Sequence, residues 1–243
     1  MANVTTFLAG STGLVGSNIL NTLLTHPSIA HTSAFTRRAL SQTSPKLSTL
    51  PADPSTAQQE PSKLWPTLFP NPAPQPSVYF SALGTTRAQA GSVDGQRLID
   101  HDLNLALAQA AKAAGVKTYV LISTGAANSA SSFAYLKMKG ELEDAVKALG
   151  FDHTVILRPG VILGNRQDSR PAEFAVRKVA GLVGMFGSGF KDFWAQEAEV
   201  IAKAAVAAGL QCVEGKREKG VWEVQQKDIV RLGRTEWSVG EQK

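Results

Sequence analysis

Cysteine is almost missing from this chain. Cys212 is the only one in 243 residues, so no intrachain disulfide can form and a reducing compartment is expected. Histidine is scarce too: His26, His31, His101 and His153 fall in no metal-ligand spacing, and with a single thiol beside them no metal site is expected. No apolar stretch reaches the roughly eighteen residues of a membrane-spanning helix. Charge is present but nowhere concentrated. The 25 Lys+Arg against 20 Asp+Glu give a net charge of +5, and the densest basic stretch, Lys216-Arg217-Glu218-Lys219, is broken by an acid. A nucleic-acid surface needs a basic stripe interleaved with aromatics; none is present, and no nucleic-acid partner is expected.

What is present begins with the apolar run Val4–Ala9, followed directly by Gly10-Ser11-Thr12-Gly13-Leu14-Val15-Gly16 and then by an amphipathic stretch to Leu24. That order is strand, glycine turn, helix. In this setting one glycine permits the tight turn, one lets the backbone approach a pyrophosphate and one lets the helix pack on the strand. The helix N-terminus offers unpaired N–H groups and a partial positive charge to the phosphates. The alternative is a small-residue turn in some other α/β protein.

Strand-like runs recur at 32–36, 78–83, 118–123 and 154–157, with helical patterns between most of them. Leu103, Leu107, Ala110, Ala111 and Ala114 make one apolar stripe, and Gly115 supplies its stop. Such alternation predicts a parallel sheet covered on both faces: a Rossmann-like, doubly wound, three-layer α/β/α fold. The length suits a single dinucleotide-binding domain over 1–243. Residues 45–76 hold nine of the twelve prolines, which rules out a continuous helix. The expectation there is a Pro-rich surface insertion with one short helix near 63–69, read either as a plain loop or as a lid or partner-binding segment carrying Trp65 and Phe69. Toward the C-terminus, 193–210 reads as a helix, 221–224 as a strand and 228–232 as a short helical turn.

An unmodified ribose is usually held by an acid about twenty residues after the glycine turn. Here that region reads Phe35-Thr36-Arg37-Arg38. Two guanidinium groups and no carboxylate suit a 2′-phosphate, because arginine binds phosphate bidentately and stays charged. NADP is therefore favoured over NAD. The plainer reading is that both arginines solvate a surface turn.

Ser123 closes the run Leu121-Ile122-Ser123-Thr124-Gly125, and Tyr135-Leu136-Lys137-Met138-Lys139 begins twelve residues later. On a helix, Tyr135 and Lys139 share a face. At the carboxyl edge of the sheet this trio fits carbonyl–alcohol redox. Lys139 would lower the phenol pKa and bond the nicotinamide ribose, Tyr135 would move the proton, and Ser123, with Thr124 as its understudy, would hold the substrate oxygen. For Tyr-x-x-x-Lys alone, an ordinary helix with a solvated lysine is the competing reading. Pro159-Gly160 fits a substrate-side turn after the fifth strand, with Pro159 also expected against the cofactor.

Taken together these segments resemble the atypical branch of the short-chain dehydrogenase/reductase superfamily. They are most similar to the fungal "found in mitochondrial proteome" proteins and the human Tat-interacting oxidoreductase-like protein. The resemblance is carried by the glycine turn, Thr36-Arg37-Arg38, Leu83-Gly84-Thr85-Thr86-Arg87 with Ala90-Gly91, Tyr135 to Glu141, Leu157 to Gly164, and Arg166 to Pro171. It implies a Rossmann fold binding NADP, Ser123, Tyr135 and Lys139 as the catalytic set, and Leu83, Gly84 and Thr85 beside the cofactor's phosphates and ribose. It also implies a peripheral protein on the cytosolic face of the mitochondrial outer membrane; without it, a cytoplasmic location would be expected. No acid precedes Asp53, a bias like that of a mitochondrial transit peptide. Cleavage there would remove the first strand and the glycine turn, so a mitochondrial chain is expected to keep its N-terminus.

The apolar, glycine-rich stretch 179–190 reads as a core or pocket wall, or as a surface touching lipid through Leu182, Val183, Met185 and Phe186. Two functional classes stay open. One is an NADP-dependent oxidoreductase acting on a small carbonyl or alcohol; the other is an NADP(H)-binding regulator or scaffold that acts through a protein partner or a membrane contact without turnover.

Overall fold

The computed structural model describes residues 3–52, 60–163 and 195–237. The chain opens with β1 (Val4–Ala9), α1 (Leu14–Thr25), β2 (Ile29–Phe35) and β3 (Leu47–Leu50). After a short helix α2 (Pro61–Leu64) and a 3-10 turn (Trp65–Leu68) comes β4 (Ser77–Ser81). The helices α3 (Arg87–Ala90) and α4 (Val93–Arg97) lead through a π turn (Leu98–Leu103) into α5 (Asn104–Ala113). There follow β5 (Thr118–Ile122), α6 (Ala134–Ala148), β6 (His153–Arg158) and β7 (Val161–Leu163). The last elements are β8 (Ala195–Glu197), α7 (Ala198–Val213), β9 (Gly220–Gln225), α8 (Gln226–Val230) and a closing π turn (Arg231–Thr235).

Among the described residues, seven parallel strands form the main sheet in the order β3-β2-β1-β4-β5-β6-β9, and β7 pairs with β8 beside it. The chain therefore starts at the middle of the sheet, winds out to β3, returns to β4 and winds out the other way. The expected doubly wound Rossmann architecture is present. Its crossover point lies between β1 and β4, where ligands sit in open α/β sheets because the loops there diverge.

Alternating side chains feed the two faces. Leu8, Phe80, Val120 and Val155 pack with Ile19 and Leu23 of α1 and with Ile201, Ala205 and Val206 of α7. Small residues let α7 lie close to the strands: a Cβ at Gly209 would come within 3.1 Å of the Phe80 ring. The opposite face carries a row of aromatics. Ring centroids lie 5.0 Å apart for Phe35–Phe69, 5.1 Å for Phe7–Phe69, 5.4 Å for Phe69–Tyr79, and 5.3 Å for both Tyr79–Tyr119 and Tyr119–Phe151.

The Pro-rich segment departs from a surface insertion. Residues 47–50 form edge strand β3, paired in register with Thr32 to Phe35. Trp65 and Phe69 are buried in the aromatic row, each burial being worth about 2–3 kcal/mol. Short β3 survives among the prolines because Pro45 and Pro51 bracket it, leaving its ladder donors intact. Near the C-terminus the helix expected from 193 starts at Ala198, after β8. The stretch 179–190 lies outside the described residues.

Candidate functional site

The glycine turn leaves β1 at Gly10, whose φ of +87° suits glycine alone. A Cβ there would stand 2.4 Å from the Ala82 carbonyl oxygen, and one at Gly16 would stand 1.9 Å from that of Gly10. A side chain at Gly10 would force the turn off the end of β4, and one at Gly16 would push α1 off the turn. Gly13 occupies the N-cap with no side-chain hydrogen bond, and its own N–H bonds Gly10 O at 2.9 Å. The first turn of α1 thus offers the backbone N–H groups of Leu14, Val15 and Gly16 without a competing cap, which is the requirement for a phosphate cradle. Ser11 is buried, its hydroxyl 3.5 Å from Phe35 O.

At the end of β2, Thr36 Oγ1 donates to Arg38 O at 2.7 Å and accepts from Arg38 N at 3.1 Å. This local turn presents Arg37 and Arg38 to solvent, and neither guanidinium meets a carboxylate among the described residues. The residues present fit a dinucleotide carrying a 2′-phosphate: an uncapped helix start, a turn with no room for Cβ atoms, and two unpaired cations beside it.

A loop after β4 forms the next wall. Leu83, Gly84 and Thr85 precede α3, whose N-cap is Thr86. Three side chains from the adjoining helical segment grip this loop: Gln96 Nε2 donates to Thr85 O at 3.1 Å, Asp100 Oδ1 accepts from Thr85 N at 2.6 Å, and Asn104 Nδ2 donates to Leu83 O at 3.5 Å. The π turn brings Asp100 into the core, where it is buried. Burial raises the Asp100 pKa, against the opposing pull of Lys139, Thr85 N–H and Gln96.

Across the crossover stand β5, α6 and β6. Tyr135 and Lys139 occupy successive turns of α6, as their spacing predicts. Tyr135 is 43% exposed, whereas Lys139 is 4% exposed, with its Nζ 3.5 Å from Ile122 O. Burial lowers the Lys139 pKa, with the carboxylates of Asp100 and Glu143 resisting. The expected depression of the phenol pKa is reversed: packing against the protein and the Asp100 charge both raise Tyr135. Ser123 also differs from its expected role. Its hydroxyl donates to Glu143 Oε1 at 2.5 Å, inside the protein. Glu143 receives Arg158 on both oxygens, Nε lying 3.2 Å from Oε1 and 3.1 Å from Oε2. Arg158 and Lys147 both reach Glu223 on β9, at 2.8 and 2.7 Å. Thr124, the next residue, is partly exposed. Pro159 O accepts from Gly125 N at 2.8 Å, which holds the β5 turn against the start of β7.

Sequence reasoning missed Gln96, Asp100, Asn104, Glu143 and Arg158. The signal available was a run of polar residues at helical spacing, Gln96, Asp100 and Asn104, ahead of an otherwise apolar stripe.

The family model HIM1 matches residues 56–185. The protein "Protein fmp52, mitochondrial" of Aspergillus fumigatus is 49% identical over 240 residues, covering 96% of this chain and 99% of its own length. Among solved structures, a short chain dehydrogenase family protein from Francisella tularensis superposes with a TM-score of 0.64 at 14% identity, covering 93% of this chain and 99% of that one. MoeE5 in complex with UDP-glucose and NAD gives a TM-score of 0.61 at 16% identity, with 91% and 75% covered. At such identities the structural likeness is one of fold.

Proposed function

The chain belongs to the HIM1 family together with the mitochondrial Fmp52 proteins, and from that premise we propose that it is an NADP-dependent oxidoreductase of the short-chain dehydrogenase/reductase type. It exchanges hydride with a small carbonyl or alcohol. The observation that carries this reading is the convergence, on one edge of the sheet, of an uncapped glycine turn, two unpaired guanidinium groups and a Tyr135–Lys139 helix face. MoeE5, which shares the fold, is a complex with NAD; Arg37 and Arg38 in place of an acid favour the 2′-phosphorylated form here.

A bound nicotinamide supplies or accepts the hydride. Gly10 to Gly16 would hold the pyrophosphate on backbone N–H groups, and Arg37 and Arg38 would pair with the 2′-phosphate. Leu83, Gly84 and Thr85 line the ribose side, and Pro159 closes the opposite wall. Lys139 would hydrogen-bond the nicotinamide ribose. Tyr135 gives its phenolic proton to the carbonyl oxygen as the alcohol forms, and the partly exposed Thr124, rather than the Glu143-bonded Ser123, supplies the hydroxyl that orients that oxygen. The location we propose is the cytosolic face of the mitochondrial outer membrane, as a peripheral protein. It is consistent with the naming of the relatives and with the lack, among the described residues, of any helix long and apolar enough to span a bilayer.

One observation favours a second reading, a dinucleotide-binding regulator or scaffold without turnover: the Ser123 hydroxyl is already committed to Glu143. A panel of aldehydes, ketones and quinones with NADPH separates the two. Turnover that falls by about 10²- to 10⁴-fold in Tyr135→Phe, with NADPH affinity unchanged, supports the enzyme. NADPH binding with no turnover on any member of the panel supports the regulator.

A further inference from the structure

Lys139 sits in the core between two acids. Glu143 is already matched: its carboxylate takes the Arg158 guanidinium on both oxygens and the Ser123 hydroxyl besides. Asp100 is in a different position. It is 2% exposed, its partners are the Thr85 N–H and the Gln96 side chain, and no cation reaches salt-bridge distance of it among the described residues. A buried carboxylate bonded only to neutral donors retains a charge that the interior does not solvate. Lys139, equally buried and bonded to a single carbonyl, lies on α6, which packs against the π turn that carries Asp100, and the two opposite charges act on each other there. The other charges of the region are satisfied elsewhere: Arg97 meets Glu141 at 2.6 Å and Asp102 at 3.9 Å, and His101 meets Asp102 at 2.7 Å. From α6, the groups facing Asp100 are Lys139 and the phenol of Tyr135.

We propose that Asp100 is a positioning residue: through space it is the counter-charge of the buried Lys139 ammonium, while its carboxylate anchors the 83–85 loop through Thr85. The π turn is what makes this arrangement available. It interrupts the helix at Leu98–Leu103 and turns the carboxylate inward while Gln96 and Asn104 hold the same loop from either side. One carboxylate thereby ties the ribose-side wall to the lysine beneath Tyr135, so that loop placement and lysine charge are set together. The inference deepens the proposed Tyr135–Lys139 proton pair and rests on it for its catalytic meaning.

The test needs neither cofactor nor substrate, so its failure is separable from that of the enzyme reading. Melting temperatures are measured for the whole chain, Asp100→Asn, Lys139→Met and the double variant, from pH 7 to 9. Asn at 100 still accepts from Thr85 N, so the loop anchor persists and only the charge is lost. With a counter-charge relation, each single variant melts below the wild type, and the double variant recovers at least half of the summed loss. The pH course is the sharper sign. A lysine whose native pKa lies below its unfolded value binds fewer protons when folded, so stability rises with pH across the interval between the two. Removing Asp100 extends that interval toward neutrality. Asp100→Asn should therefore gain several degrees relative to the wild type between pH 7 and 9, and the double variant should not. Losses that simply add, or an Asp100→Asn curve running parallel to the wild type, overturn the proposal. If Lys139→Met does not fold, the comparison of Asp100→Asn with the wild type across pH decides alone.

Discussion

The two halves of the sheet work by different means. From β1 to β3 the candidate site is made of backbone: a turn whose Gly10 φ is +87°, a helix start left uncapped, and two arginines held outward by Thr36. From β4 to β9 it is made of buried charge: Lys139, Asp100 and Glu143 inside, with Arg158, Lys147 and Glu223 joining three elements. The first half is organised by residues close in sequence. The second depends on partners 15 to 76 positions apart. A site built on backbone shape tolerates change in its exposed side chains, whereas one built on buried ions transmits the loss of any member to its neighbours.

That contrast can be broken by substitution. The largest effect is expected in the charged half. Glu143→Ala removes the Ser123 acceptor and leaves Arg158, itself only 19% exposed, with Glu223 as its remaining carboxylate partner among the described residues, and should cost about 3 kcal/mol, seen as a fall in melting temperature of roughly 6 °C or more. Glu143→Gln keeps an acceptor for Ser123 and should cost less. If Glu143→Ala melts with the wild type, the buried network carries no weight in stability and the contrast fails. Next comes Gly16→Ala, a place where the backbone half should also lose stability. With a Cβ 1.9 Å from Gly10 O, the turn must open, at about 2–3 kcal/mol and with loss of NADPH binding; retention of binding would show that the turn is not the cradle. A smaller effect discriminates between hydroxyls. Thr124→Val, on a partly exposed residue, should leave melting within about 0.5 kcal/mol of the wild type and lower turnover. Ser123→Ala should be felt mainly as stability, about 1–2 kcal/mol. The reverse pattern would place the substrate oxygen at Ser123.

Legibility in the sequence follows the same division. The glycine turn, the order of strands and the Tyr135–Lys139 face could be read because each follows from neighbours a few residues apart, through periodicity or turn chemistry. Edge strand β3 could not be read. Four residues, Leu47–Leu50, carry too little alternation to stand out among prolines, and they become a strand only because β2 presents an open edge. From sequence, Trp65 and Phe69 read as aromatics that a plain loop or a lid or partner-binding segment carries, yet they complete a ring row with Phe7, Phe35 and Tyr79 that exists only in the folded sheet. Ser123 was placed correctly at its strand end, but its bond to Glu143 spans 20 positions. The direction of the Tyr135 pKa was misread for a related reason. The lysine four residues away was visible in the sequence, and the opposing carboxylate of Asp100, brought in by a π turn, was not.

The central claim, a 2′-phosphorylated dinucleotide held by the backbone half, is tested most directly by calorimetric titration of the chain with NADPH and with NADH, beside an Arg37→Ala, Arg38→Ala double variant. Both arginines are exposed and unpaired, so the variant should melt as the wild type does. NADPH should bind far more tightly than NADH, and its affinity should fall about tenfold to a hundredfold in the variant, with NADH binding unchanged. Equal affinity for the two dinucleotides, or an NADPH affinity that the double substitution leaves untouched, would contradict the account.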